Sequence, residues 1–170
     1  MLKQKMTGFT LMEALVALLI TTVGLLGVAG LLIRGQQFNI VSGQRSQGTF
    51  LAADLLERIR INSDGTSGNG NADDGAYAVS SFSNEKYPST KSCDDQACTT
   101  GELAKYDLNH FFNMVKNNFP NGEARIKWDS VNRRYEVIIR WMNVVSTADA
   151  CDEDGETLAN KECQAWVVTL

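Results

Sequence analysis

From Ala14 to Ile33 the chain runs through 20 residues without one ionisable side chain. At 1.5 Å per residue a helix of that length reaches roughly 30 Å, the depth of a bilayer's hydrocarbon core. Beyond Ile33 the pattern turns amphipathic. Phe38, Val41, Ala52, Leu55, Leu56 and Ile59 fit a stripe at helical spacing, and Gln36, Gln37, Gln44, Arg45, Gln47 and Glu57 are expected on the opposite face. The pattern predicts one long helix over residues 9–61. Its first part (9–33) is the transmembrane half, and its second (34–61) packs on a globular head formed by residues 62–170. Asn62-Ser63-Asp64-Gly65 announces the end of the helix, and a Gly/Asn/Asp-rich stretch follows to Gly75.

Within the head, Ala104, Leu108, Phe111, Phe112, Val115 and Phe119 line one face of a second helix over 102–118, stopped before Pro120. The period then switches to two. Residues 123–129 and 134–142 alternate as strands, with Ser130-Val131-Asn132-Arg133 as the hairpin connection, and 165–169 supplies a third strand. Strands and helix faces of this kind bury one another's apolar sides. The expected fold class is α+β: a long N-terminal helix packed on a small head with an antiparallel sheet.

Charge is unevenly placed. Residues 1–8 carry +2 from Lys3 and Lys5, residues 9–61 carry +1, and residues 62–170 carry −7, for a net −4. The basic tip favours keeping the N-terminus cytoplasmic and exporting the rest. The acidic head argues against a nucleic-acid partner. All four cysteines, Cys93, Cys98, Cys151 and Cys163, lie beyond the span, where an oxidising compartment favours two disulfides. Proximity in sequence favours Cys93–Cys98 and Cys151–Cys163. Zinc would need tighter spacing, and an EF-hand reading from Asn69 fails at Asp74 and Ser80, so neither a metal nor another cofactor is expected. His110 is the only histidine, which removes most histidine-based triads, and no nucleophile or phosphate-loop motif occurs. The chain reads as a non-enzyme, and His110 as a helix-surface residue.

Glu13 stands out against this background. A carboxylate in an apolar membrane segment costs roughly 2.5–3.5 kcal/mol on insertion scales, so it points to a partner. It lies one turn after Phe9, which follows Gly8. A cut between Gly8 and Phe9 would place a new ammonium group at the head of the helix, on the same chain or a neighbour's, for Glu13 to pair with. Gly8-Phe9-Thr10-Leu11-Met12-Glu13-Ala14-Leu15-Val16-Ala17 resembles the prepilin cleavage and methylation motif of type IV pilins and pseudopilins. The resemblance implies a leader of residues 1–8 removed by a membrane prepilin peptidase, N-methylation of Phe9, and a Glu13 that guides docking into a filament. It further implies residence in the bacterial inner membrane with a periplasmic head, then a place in a pilus, at its tip or along its shaft. Other minor pilins, the major pilin and a tip adhesin would be the partners, in assembly, adhesion and twitching motility. Leu55-Leu56-Glu57-Arg58-Ile59-Arg60-Ile61-Asn62 is similar to a string that closes the long helix in one group of minor pilins. By physics alone it is a solvated helix end whose arginines face the C-terminal dipole.

Rival readings make separate predictions. A cleaved signal peptide would need its domain directly after a small-residue site, yet the apolar run continues through Leu31, Leu32 and Ile33. A simple anchor, with or without an enzyme attached, leaves Glu13 unexplained. A minor pseudopilin of a type II secretion system shares leader and rod. Gly24, Gly27 and Gly30 fit either close packing between helices or a stretch that loosens on assembly.

Overall fold

The computed structural model describes residues 10–64, 75–84, 91–142 and 161–169. Helix α1 runs Leu11–Asp64 and helix α2 Thr100–Asn118. Four strands complete the order: β1 Val79–Ser83, between the helices, then β2 Glu123–Asp129, β3 Arg134–Met142 and β4 Lys161–Thr169. The chain divides into two compact units, residues 1–40 and 41–170.

The first unit is helical wherever it is described. Thr10 caps it: its hydroxyl accepts from the Glu13 amide at 3.3 Å, satisfying one of the donors a helix start leaves over. The helix passes through Gly24, Gly27 and Gly30 without a break. A helix this apolar gains nothing from water, and none of the hydrophobic window is buried within the chain.

The second unit is an antiparallel sheet in the order β1-β2-β3-β4. Strands β2 and β3 run without a slip from Glu123 opposite Arg140 to Asp129 opposite Arg134, and β3 pairs with β4 along all nine residues of each. The expected bounds of β2 and β3 are met; β4 begins earlier than the pattern of apolar residues suggested, at Lys161. Strand β1 was not foreseen, because Val79-Ser80-Ser81-Phe82-Ser83 has little apolar alternation and its pairing with β2 is irregular. Tyr135, Val137, Ile139 and Trp141 face inward and meet Ala52, Leu55 and Ile59 of α1 and Leu108, Phe112 and Val115 of α2, all buried. Core aromatics sit edge to face or tilted, with Phe119 and Trp141 at 4.9 Å between ring centres.

Helix α2 starts with a complete capping box. The Thr99 hydroxyl accepts from the Glu102 amide while the Glu102 carboxylate accepts from the Thr99 amide at 2.8 Å. Lys91 adds its ammonium at 3.1 Å, and backbone and cation together hold the Glu102 carboxyl below its ordinary range. The turn into β2 requires Gly122, since a Cβ there would lie 2.7 Å from the Val115 carbonyl oxygen.

One expectation about α1 needs correction and another needs an addition. Phe38 is not part of the packed stripe; it is 71% exposed. Gln44, Arg45 and Gln47 also hold the head, although Arg45 and Gln47 remain exposed. Gln44 accepts from the Trp141 indole at 3.1 Å, Gln47 donates to Asn118 at 3.1 Å, and Arg45 pairs with the buried Glu162 of β4. These side chains are long enough to reach the head from the margin of the stripe, which hydropathy spacing does not register.

Candidate functional site

Two places carry the residues singled out by sequence. The first is the N-terminal end of α1. Thr10 and Glu13 are fixed by the cap, and both side chains are exposed. Around Glu13 a shallow surface is lined by Met12, Val16, Ala17 and Ile20, all apolar. An exposed carboxylate at the head of a bare apolar rod, near the positive end of the helix dipole, is arranged to hold a cation presented from outside the helix. Gly8 and Phe9, the expected cleavage and methylation residues, lie outside the described residues. Farther along, Thr21 and Thr22 donate to the Ala17 and Leu19 carbonyls at 2.7 and 2.8 Å, so their hydroxyls are satisfied within the helix.

The second place is the end of α1. Here the solvated-end reading fails for two residues of the 55–62 string. The Arg58 guanidinium reaches Asp107 of α2 at 3.0 Å and Asp54, one turn back, at 2.9 Å. Asp107 is 2% exposed and also accepts from the Tyr77 hydroxyl at 2.8 Å. Asn62, 4% exposed, donates to the Tyr77 oxygen at 3.0 Å and to the Thr100 carbonyl at 2.9 Å. Burial opposes the charge on Arg58, but hydrogen bonds and attraction from the two aspartates outweigh it and raise its pKa. Burial, then the nearby Asp107 carboxylate, pushes the Tyr77 phenol well above its ordinary value. The result is a buried polar clamp that joins α1, α2 and the segment before β1. Sequence reasoning missed Tyr77 and Asp107. The one signal available was Asp107 lying within the apolar face of α2, next to Leu108.

Cysteine pairing agrees where it is described. Cys93 and Cys98 are disulfide-bonded, closing the loop that leads to the Thr99 cap. Cys163 is also disulfide-bonded; Cys151, its expected partner, lies outside the described residues. His110 is exposed on α2. Among the described residues no group of acidic, histidine and cysteine side chains is arranged to hold a metal.

A family model for the prokaryotic N-terminal methylation motif matches residues 3–29. A second, described as type IV pilin Tt1218, matches residues 39–109. The first match takes in Glu13 and most of the apolar rod; the second takes in every member of the polar clamp. No curated protein and no solved structure matches the chain. Together the two family matches support a type IV pilin family, whose members are structural rather than enzymatic.

Proposed function

From the premise that this chain is a type IV pilin, we propose that it is a minor pilin, resembling the one called PilV, that enters the pilus or its priming and tip complex. The prepilin-type motif implies processing by prepilin peptidase and assembly with other pilins. In the proposed sequence of events, the peptidase cuts after Gly8, Phe9 is N-methylated, and the rod waits in the inner membrane with the head in the periplasm. Assembly moves the rod from lipid into a bundle of like rods, where Glu13 receives the terminal ammonium of Phe9 from its own chain or a neighbour. In such a bundle the carboxylate and the ammonium neutralise each other away from water, which a lone charge could not do at tolerable cost.

The observation that carries this reading is the exposed apolar surface of α1 from Leu11 to Ile33, interrupted by one acidic side chain at Glu13. The 55–62 string supports the minor-pilin assignment, in adhesion and twitching motility alongside a tip adhesin. Intact mass and N-terminal sequencing of protein taken from its native membrane test it. A mature chain beginning at methylated Phe9, found in sheared filaments with other pilins, is the expected result. A chain still beginning at Met1 in cells with active peptidase would leave only a membrane-anchored domain.

A further inference from the structure

In an antiparallel sheet every second residue of an outer strand turns its N–H and C=O away from its neighbour, so each edge offers a row of unused backbone groups. The edges here are β1 and β4, and they differ. Strand β1 is five residues long and slips in register against β2. Its one aromatic ring, Phe82, is stacked with the guanidiniums of Arg125 and Arg140 at 4.5 and 3.7 Å. Shortness and irregularity are how natural sheets blunt an edge. Strand β4 has neither. It is nine residues long and pairs with β3 throughout without a slip. From Gln164 to Thr169 it has no charge and no proline, and Trp166-Val167-Val168-Thr169 favours extended backbone. Ala165, Val167 and Thr169 are exposed, and among the described residues no strand lies on the far side of β4.

We infer that the free edge of β4 docks an extended segment of a different protein, which adds a fifth strand to the sheet. The segment that fits is uncharged and alternately apolar along its middle, with a carboxylate at each end. Backbone pairing supplies the affinity of such a contact, and the flanking side chains select the partner. Arginines mark both ends of the edge. At one end Arg45 of α1 is more than half exposed, although it pairs with the buried Glu162. At the other, Arg134 lies directly opposite Thr169, half-exposed and paired with Asp129 at 3.1 Å. A guanidinium has five N–H donors, so each arginine can take a second carboxylate. Between them a charge on the incoming strand would be set against Ala165 and Val167, with nothing to pair it. A second copy of β4 fits poorly, because its own Glu162 is already buried against Arg45 and its Thr169 end has no acidic residue. The contact is used once per chain and does not propagate.

Peptide binding to the full chain in detergent, followed by amide hydrogen exchange, tests the edge. The probe is the synthetic peptide Asp-Thr-Val-Thr-Val-Thr-Val-Asp. It should bind and slow exchange chiefly within residues 164–169. Lysine in place of both terminal aspartates should weaken binding about tenfold. The same peptide with its middle amides N-methylated has lost its donors and should not bind. Val167→Lys, at an exposed position, should weaken binding about tenfold while the head melts as wild type. Arg134→Ala should lower the preference for aspartate ends about threefold. Should Val167→Lys fail to fold, the N-methylated peptide puts the same question to the unaltered chain. No binding, equal binding of the N-methylated peptide, or protection outside 164–169 overturns the docking site. So does full protection of 164–169 without peptide, since the chain then covers its own edge. Protection that grows with protein concentration gives the edge to a second copy and overturns the assignment to a different protein. None of these measurements involves filaments, so the filament reading stands or falls separately.

Discussion

The same helix carries two kinds of surface, and the contrast separates what this chain completes alone from what it leaves for others. Before Val41, side chains such as Leu18, Leu25 and Leu31 are 63–74% exposed. After it, Ala52, Leu55 and Ile59 are at most 1% exposed beneath the sheet and α2. The rod half has no ionisable side chain from Ala14 to Ile33, whereas residues 41–64 have six. The apolar residues also differ in whether they fall on one stripe. In the head the stripe has partners in the chain. In the rod, apolar residues go all round, which is the signature of a helix surrounded by lipid or by other helices. Substitutions should therefore act through folding in one half and through assembly in the other.

The largest expected break in the head comes from Arg58→Ala. It leaves the Asp107 carboxylate, 2% exposed, without its guanidinium. Removing one partner of a fully buried pair costs roughly 3–5 kcal/mol, and partial exposure of Arg58 reduces this to about 2–3 kcal/mol. Denaturant titration of the detergent-solubilised protein, followed by tryptophan fluorescence of the head, measures it. Asp107→Asn keeps one acceptor oxygen, for Arg58 or Tyr77 but not for both, and should lose less. Membrane insertion of either variant should match wild type. A loss confined to insertion would mean that the clamp does not belong to the head's own stability.

Gly122→Ala comes next. Its Cβ would meet the Val115 carbonyl oxygen at 2.7 Å and the Phe119 Cβ at 2.8 Å, both part of a turn that cannot easily retreat. Overpacking of this kind costs about 1–3 kcal/mol. A circular-dichroism melt should show the head transition lowered, with the helical signal of the rod surviving above it. A single concerted loss of both would contradict the division into two units.

Titration sharpens the contrast further, because the resolved shifts, those of Tyr77 and Glu102 among them, all lie in the second unit. The folded Tyr77 phenol is raised from its ordinary 10.0 by burial and by Asp107, so its stabilisation is complete below pH 10 and lost as pH rises beyond it. The folded Glu102 carboxyl is lowered by the Thr99 amide and Lys91, so its contribution is complete above the ordinary carboxylate range and lost as pH falls through its lowered value. Head stability should thus fall at both extremes. Tyr77→Phe should flatten the alkaline fall and Glu102→Gln the acid one. An unchanged alkaline limb in Tyr77→Phe would show that another group governs it.

The parts readable from sequence share one property: they depend on a pattern along the chain. The rod is an unbroken apolar run, α2, β2 and β3 repeat their apolar residues at 3.6 or 2, and their positions agree closely with the structure. The cleavage and methylation region matched a family model for the same reason that it was legible, since its residue types follow one another in the chain. The clamp was not legible. Its members Arg58, Asn62, Tyr77 and Asp107 come from three separate segments, and a hydrogen bond across 49 positions leaves no local trace. Strand β1 was missed for a related reason. A short strand at the edge of a sheet is held by its neighbour's backbone more than by its own side chains.

The smallest effect is also the most direct comparison of the two halves, because it uses one substitution on one helix. Gly27→Ala adds a Cβ into open space, whereas Gly48→Ala places one 3.1 Å from the tip of the Trp166 ring. Both changes gain helix propensity of about 0.8–1 kcal/mol in principle. At Gly48 the ring must give way by a few tenths of an ångström, so the gain is largely cancelled and the head's melting point should move little. At Gly27 nothing in the chain opposes the gain, and the head's melting point should not move at all. If neighbouring rods approach closely at this glycine, the added methyl instead lowers the amount of protein recovered in sheared filaments. A Gly27→Ala chain that enters filaments at the wild-type level would show that this glycine is not at a close helix contact. A Gly27→Ala chain whose head melts early would show that the rod and the head do not fold by separate rules.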